Sequence, residues 1–169
     1  MKLLEKIKKG LLKKHKIVYL DIDGVLNSDN FAKFCLEEEG YNPFIEDELD
    51  PRAIKNLKYI IDKTNAKIIL SSSWRWEADA RNAVHKQLKM FNLDFIDTTT
   101  MEIGRCKNRT MEIEAHLQDH PEIKNYVILD DDEINSPLDK RHVRTTFNFG
   151  LTREKAEEAI NILNGVNNG

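Results

Sequence analysis

The chain has 169 residues, of which 40% are hydrophobic and 33% charged, with 7 Gly and 4 Pro, a composition typical of one globular domain and not of a disordered segment. The formal net charge is -3, but residues 1 to 16 contain seven lysines and one glutamate. This N-terminal segment therefore carries a charge of +6, and the rest of the chain, the body, carries -9. This distribution excludes a uniformly basic nucleic-acid-binding domain for the body. Two cysteines, Cys35 and Cys106, are too few for a disulfide scaffold or a thiolate zinc site, which favours a reducing compartment.

Residues 1 to 16 have the pattern of a basic amphipathic helix, with leucine and isoleucine on one face and lysine on the other. Such a helix is predicted to contact nucleic acid, a membrane surface or a protein partner, or to pack on its own domain with its lysines in solvent. The segment lacks the apolar core and cleavage site of a signal peptide, and no uninterrupted apolar run exceeds four residues. We therefore expect a cytoplasmic protein without a transmembrane segment.

From residue 17 to 164, short apolar runs alternate with stretches of helical spacing. The predicted strands are 17–20, 68–70, a weaker 93–96, 126–129 and an edge strand at 142–145. The predicted helices are 50–65, 77–90, 109–119 and 152–163. This alternation predicts an α/β domain at 17–164 with a parallel sheet. Residues 27–49 do not follow it and are predicted to form a flap with a turn at Asn42-Pro43, and residues 165–169 a frayed tail.

Three polar clusters directly follow predicted strands: Asp21-Ile22-Asp23-Gly24, Ser71-Ser72-Ser73 and Asp130-Asp131-Asp132. Each alone is more often a turn, a cap or a loop. In an open parallel sheet, however, the carboxyl ends of strands meet at one edge, so the clusters would converge on one crevice. Carboxylates packed there have raised pKa values and cost stability unless a cation is bound. Oxygen ligands without a nearby His or Cys favour Mg²⁺ over zinc.

The same motifs resemble the haloacid dehalogenase (HAD)-like phosphatase superfamily, whose first motif is a strand followed by Asp-x-Asp-Gly-(Thr/Val). The segment Asp21-Ile22-Asp23-Gly24-Val25-Leu26-Asn27 matches it, and residues 70–75 and 128–132 are most similar to the HAD domain of Swiss Army Knife RNA repair proteins. The resemblance covers about residues 16 to 163. It implies a three-layer Rossmann-like fold, and the roughly 43 residues between Asn27 and Ser71 leave room for a minimal cap or none.

For the reaction, the resemblance implies that Asp21 is the nucleophile that forms an aspartyl-phosphate. Asp23 would be the general acid for the leaving group and then the base for water. The Mg²⁺ site would combine the Asp21 carboxylate, the backbone carbonyl of Asp23, Asp130 and Asp131. The register within the run of three aspartates stays open.

For phosphate binding, the resemblance implies that a serine hydroxyl bonds the transferring phosphoryl oxygens. Ser71 and Ser72 are both candidates, and Ser72 aligns better with the Thr-Gly-Trp pattern of some relatives. A basic residue is also needed to neutralise the phosphoryl group and the nucleophile. Arg109, at the start of a predicted helix, is the first choice, with Lys107 and Arg105 as alternatives in the same loop.

Trp74, Arg75 and Trp76 follow the serines and are candidates for stacking on a base of the substrate, with packing in the core or at its rim as the alternative. His116 and His120 are four residues apart on a predicted helix, a spacing that can bind metal. No third ligand is evident in the sequence, so we expect them to be surface histidines.

The sequence thus predicts a Mg²⁺-dependent phosphatase that hydrolyses a phosphomonoester through an aspartyl-phosphate, with nucleic-acid ends or nucleotides as candidate substrates. The alternative is a non-catalytic phosphate-binding adaptor domain, which would use the same pocket to hold a phosphorylated partner. The charge asymmetry and the missing cap favour that alternative, whereas a suitable residue at every catalytic position favours the enzyme.

Overall fold

The computed structural model describes residues 7, 10, 12–99, 106–135 and 137–165. The strands in these residues form one parallel sheet. The strands are β1 (Ile17–Leu20), β2 (Lys67–Leu70), β3 (Phe95–Thr98), β4 (Tyr126–Asp130) and β5 (His142–Arg144). The α-helices are α1 (Asp29–Phe34), α2 (Pro51–Thr64), α3 (Ala78–Met90), α4 (Arg109–Asp119) and α5 (Arg153–Asn164). The predicted α/β fold with a parallel sheet is confirmed.

The strand order is β3-β2-β1-β4-β5, so β1 lies in the middle of the sheet between β2 and β4. Leu20 at the end of β1 is paired with Leu70 of β2 and with Leu129 of β4. The three strands therefore reach the same level, and the residues that follow these leucines emerge side by side. This register brings the three polar clusters to one edge of the sheet.

Apolar side chains cover both faces of the sheet and make the domain three layers thick. Val18 and Leu20 of β1 belong to a core with α2, α3 and α5 on one face, while Ile17 and Tyr19 belong to a second core with α4 on the other face. Strands buried on both faces show continuous apolar runs without polar alternation. This is why the central strands could be recognised from the sequence.

The ends of the helices follow local capping chemistry. The side chain of Asp50 accepts a hydrogen bond from the Arg52 N–H at the start of α2, Pro51 occupies the first turn, and Asn65 ends the helix in a left-handed conformation, as expected for these residues. The side chain of Asn108 caps α4 by accepting from the Met111 N–H. Because this cap fixes the first turn of α4, it also fixes the position of Arg109.

Two parts of the chain differ from their predicted form. The strand predicted at 93–96 lies at Phe95–Thr98. Leu93 is buried, but its N–H donates to the Leu88 carbonyl, so Leu93 belongs to the turn that ends α3. The predicted flap contains α1, a short π-helix (Cys35–Glu39) and a turn in which the Asn42 side chain accepts from the Phe44 N–H.

The N-terminal basic segment is described only in part, since residues 1–6, 8, 9 and 11 lie outside the described residues, as do residues 166–169 of the predicted tail. Residues 12–14 are helical. Leu12 is fully buried in the core on the α4 face, whereas Lys13 and Lys14 are exposed. This part of the segment therefore packs on its own domain. None of the helices within the described ranges is long and apolar enough to cross a membrane.

Candidate active site

Three acidic side chains come close together at the carboxyl ends of β1 and β4. Asp21 directly follows β1, where its N–H donates to the Leu129 carbonyl at 3.0 Å, and Asp130 is the last residue of β4. Carboxylate oxygens of Asp21, Asp130 and Asp131 all lie within 4.8 Å of one another. Asp21 and Asp130 are buried, with exposed fractions of 6% and 0%. The structure thus gathers three of the predicted metal ligands in a place largely shielded from water.

The turn after β1 depends on a glycine. Gly24 has a φ of +67°, and a Cβ at this position would lie 2.4 Å from Cγ of Asp131. Only glycine combines this backbone conformation with so close an approach. The carbonyl of Gly24 also accepts a hydrogen bond of 2.7 Å from the Thr145 hydroxyl. Gly24 therefore lets the Asp130-Asp131 segment pack directly against the Asp-x-Asp-Gly turn.

Burial, together with the grouping of the carboxylates, makes their ionised forms costly. Burial, opposed in part by Arg109 and by a hydrogen bond from Ser72, raises the pKa of Asp21 from 3.8 to about 6. Burial and the charge of Asp21 raise the pKa of Asp130 to about 7. Burial and Asp132 also raise the pKa of Asp131. A divalent cation would remove this cost, and an all-oxygen donor set suits Mg²⁺.

Arg109, the first residue of α4, forms ion pairs with three carboxylates. Its guanidinium lies 3.2 Å from Asp21, 2.9 Å from Asp130 and 2.7 Å from Glu112. Burial disfavours the charged form of Arg109, but these three carboxylates outweigh it and raise its pKa. Of the three basic candidates, Arg109 is the one that the structure brings to the aspartates. Lys107 is exposed, and Arg105 lies outside the described residues.

Glu112 links Arg109 to a second arginine, Arg75. Nη2 of Arg75 lies 2.7 Å from Oε1 of Glu112, and Arg75 is fully buried. Its Nη1 donates to the carbonyls of Ser71 and Ser72, at 3.2 and 2.6 Å. The placement does not support the prediction that Arg75 contacts substrate, because the guanidinium is shielded from solvent and already bonded within the protein. Arg75 instead holds the backbone of the serine loop.

Asp23 lies outside the group of three carboxylates and is held by two side chains. Asn27 Nδ2 donates to its Oδ1 and Trp74 Nε1 donates to its Oδ2, both at 2.9 Å. The Gly24 N–H in turn donates to Asn27 Oδ1 at 3.1 Å, which fixes the orientation of the amide. Trp74 packs at the rim of the core, as the second of the two sequence readings expected. What the sequence did not reveal is that its indole N–H also positions the second aspartate of the motif.

Ser71 and Ser72 are both fully buried at the end of β2. A hydrogen bond from Ser72 stabilises the ionised form of Asp21, and Ser72 Oγ also accepts from the Trp74 N–H at 3.4 Å. The Ser71 hydroxyl has no hydrogen-bond partner among the described residues. A buried hydroxyl without a partner is costly in a folded protein, so it is a candidate for a ligand contact.

In the run of three aspartates, the third differs from the first two. Asp132 is exposed, and it contributes its backbone N–H to Asp130 Oδ1 at 3.0 Å. Its carboxylate is not among those that gather around Asp21. The structure therefore places Asp130 and Asp131 in the site and leaves Asp132 at the surface.

The prediction for His116 and His120 is wrong in two respects. His116 is buried, with 6% of its surface exposed. Asp97 of β3 also lies close to both histidines and supplies the third candidate ligand that the sequence did not reveal. The nearest sequence signal is the acidic residue in a half-buried strand, but its proximity to α4 depends on the tertiary fold.

The comparison with protein families matches residues 17–156 to the family described as HAD domain in Swiss Army Knife RNA repair proteins. The matched region begins with β1 and includes all three polar clusters and Arg109. No curated protein matches the chain, and no solved structure matches it.

Proposed function

The chain belongs to the family of HAD domains in Swiss Army Knife RNA repair proteins, and from this premise we propose that it is a Mg²⁺-dependent phosphatase that hydrolyses a phosphomonoester through an aspartyl-phosphate. The membership itself supports a hydrolase of the phosphatase type. The observation that carries the finer proposal is the contact of one arginine, Arg109, with both Asp21 and Asp130. Because of this contact, the buried carboxylate of Asp21 lies beside a positive charge. The same positive charge can also bind the oxygens of a phosphoryl group.

In the first half of the reaction, a carboxylate oxygen of Asp21 attacks the substrate phosphorus. The bond from phosphorus to the ester oxygen breaks, and the leaving oxygen takes a proton from Asp23. In the second half, Asp23 removes a proton from water, and the resulting hydroxide attacks the phosphorus of the aspartyl-phosphate. The bond to Asp21 breaks, inorganic phosphate leaves, and both aspartates return to their starting state.

The hydrogen bonds around Asp23 suit these two roles. Asn27 and Trp74 each hold one of its oxygens, so the carboxyl group has a fixed orientation two residues from the nucleophile. Fixing an acid-base group in this way lowers the entropic cost of proton transfer. Both donors are neutral, and each can remain in place whether Asp23 is protonated or ionised.

Phosphoryl oxygens would be bound by Arg109 and by the serine loop. Arg109 carries a positive charge beside Asp21, and the buried hydroxyls of Ser71 and Ser72 lie at the same edge of the sheet. Ser71 offers a hydroxyl that has no partner among the described residues. These groups are held before substrate arrives, which is the arrangement that best stabilises charge in a transition state.

The carboxylates of Asp21, Asp130 and Asp131 would hold the Mg²⁺ ion, with the Asp23 backbone carbonyl as the further ligand that the family resemblance implies. Their donor atoms are hard oxygens within 4.8 Å of one another, which fits that ion. When bound, it supplies positive charge to the phosphoryl oxygens and to the nucleophile.

We further propose that the phosphate lies on a nucleic-acid end or a nucleotide. The family description refers to RNA repair, and the exposed side chains of Lys107 and Trp76 could contact the rest of such a substrate. Lys107 would interact with backbone phosphates and Trp76 would stack on a base. The lysines of the N-terminal segment would add attraction for a polyanion.

A phosphate-release assay over RNA and DNA ends, nucleotides and phosphopeptides tests the proposal. The wild type should release phosphate only with Mg²⁺, Asp21→Asn should be inactive, and Asp132→Asn should keep its activity as a matched acidic control. Equal activity of the wild type and Asp21→Asn would exclude the mechanism. Tight binding of a phosphorylated ligand without turnover would favour the adaptor domain instead.

A further inference from the structure

A second group of candidate metal ligands lies where α4 ends beside β3. Nε2 of His116 is 3.2 Å from Oδ2 of Asp97, and Nε2 of His120 is 3.9 Å from the same oxygen. The two imidazole rings are 4.5 Å apart between centroids. Two ring nitrogens thus converge on a single carboxylate oxygen.

The other nitrogen of each ring is occupied by a partner that fixes its orientation. Nδ1 of His116 lies 2.9 Å from the hydroxyl of Tyr19, and Nδ1 of His120 lies 3.1 Å from Oε1 of Glu122. In metal sites, a histidine ligand usually donates its second N–H to such an oxygen, and a carboxylate partner is especially common. Both histidines are therefore oriented with Nε2 toward the shared point.

We propose that Asp97, His116 and His120 bind a zinc ion. A tetrahedral zinc with bonds of about 2.0 to 2.1 Å separates its ligand atoms by about 3.3 Å, close to the 3.2 and 3.9 Å observed. Two imidazoles with one carboxylate select a first-row transition metal over Mg²⁺. A water molecule would take the fourth position. Asp97 and His120 are partly exposed, at 14% and 16%, so an ion can enter from solvent.

This site is distinct from the aspartate site. Arg109 begins α4 at the aspartates, and His120 follows its last residue. Eleven residues at 1.5 Å each separate the two positions by about 16 Å along the helix. A metal held here would join β3, which carries Asp97, to the end of α4, which carries His116 and is followed by His120.

An ordinary histidine-aspartate pair elsewhere in the chain provides a matched control. His85 Nδ1 lies 2.8 Å from Asp94, whose other oxygen is 3.0 Å from Lys89. This pair has one imidazole, and a lysine already neutralises its carboxylate. It should therefore not bind zinc tightly, although it has the same residue types.

The test is a calorimetric titration of chelator-treated protein with Zn²⁺ in excess Mg²⁺, which keeps the aspartate site occupied. The wild type and His85→Gln should bind one zinc with equal affinity, whereas His120→Gln should bind it at least about tenfold more weakly. Asp97→Asn should behave like His120→Gln and serves as the second variant if the first is unstable. At the same concentration, zinc should also raise the unfolding temperature of the wild type more than that of the two site variants.

Cobalt substitution gives an independent readout. Co²⁺ in the wild type should show the intense visible absorption of tetrahedral coordination, and His120→Gln should lose it. The proposal is overturned if the wild type binds no zinc, if His120→Gln and Asp97→Asn bind it as tightly as the wild type, or if His85→Gln loses it equally. Loss of phosphatase activity is not used as a criterion, so failure of the zinc proposal would leave the proposed function untouched.

Discussion

Replacing Asp130 by asparagine should make the metal-free protein more stable at alkaline pH. Burial and the charge of Asp21 raise the pKa of Asp130 from 3.8 to about 7. Asparagine resembles the protonated acid, and its side-chain oxygen can still accept the hydrogen bond that Asp130 takes from the Asp132 N–H. The substitution therefore removes an unfavourable charge and keeps this hydrogen bond, but it gives up the bond that Asp130 Oδ2 accepts from Arg109 Nε.

The sign and size of the effect follow from proton linkage. Between about pH 4 and pH 7 the native state binds more protons at Asp130 than the unfolded state does, so the wild-type protein loses stability as the pH rises. A pKa of about 7 against 3.8 corresponds to roughly 4 kcal/mol at 1.36 kcal/mol per pH unit. Asp130→Asn should gain up to this amount relative to the wild type near pH 8 and little near pH 4.

Urea unfolding of both proteins in a chelator, at about pH 4 and about pH 8, measures the difference. Adding Mg²⁺ at a hundred times its dissociation constant should stabilise the wild type by about 2.7 kcal/mol and the variant by much less. If Asp130→Asn is less stable than the wild type at both pH values, the attraction to Arg109 outweighs burial and repulsion, and the reasoning is refuted. Equal stabilisation of both proteins by Mg²⁺ would contradict the assignment of Asp130 as a ligand.

Three further substitutions test how the site is held together. Gly24→Ala should weaken Mg²⁺ binding and should lower the free energy of unfolding by at least about 2 kcal/mol more than Gly40→Ala does. Both glycines have a positive φ, but of the two only Gly24 would bring a Cβ against a side chain, at 2.4 Å. Equal unfolding free energies of the two variants would exclude the clash. Glu112→Gln should cost about 3 kcal/mol in unfolding free energy, since it removes the negative charge shared by the buried Arg75 and the largely shielded Arg109. Glu114→Gln, on the same helix, should cost under about 0.5 kcal/mol. Trp74→Phe should lower kcat about tenfold with a nearly unchanged free energy of unfolding, because it removes the N–H that holds Asp23, the proposed general acid. An unchanged kcat would show that this bond is dispensable.

The fold was predictable where burial leaves a simple pattern in the sequence. The strands β1, β2 and β4 lie in the interior of the sheet, so their continuous apolar runs mark them clearly. The edge strand β3 is half-buried along its whole length and contains Asp97 and Thr98. Its apolar signal is therefore weak, and the nearby buried Leu93 displaced the predicted strand by two residues.

The parts of the site that could be predicted are the residues whose location depends only on their position along a strand. Asp21 and Asp130 follow or end central strands, and a parallel sheet brings such residues together whatever the rest of the chain does. One half of the role of Glu112 could be predicted from the sequence. Its spacing of three residues from Arg109 indicates an ion pair on one face of a helix. The contact between Glu112 and Arg75 joins residues 37 positions apart, and no local pattern encodes it.

The charges of the site give a physical reason for a bound cation. Among the described residues, Arg75 and Arg109 pair with the carboxylates of Glu112, Asp21 and Asp130, and Asp131 adds a fourth carboxylate to the group. When all four are ionised, they exceed the charge of these two arginines by two. Glu112 is shared between both arginines, which holds them in place but also neutralises part of their charge. A phosphate dianion that approached this arrangement alone would meet a surplus of negative charge. A divalent cation balances that surplus, so the same ion that relieves the buried aspartates would make the site attractive to a phosphorylated substrate.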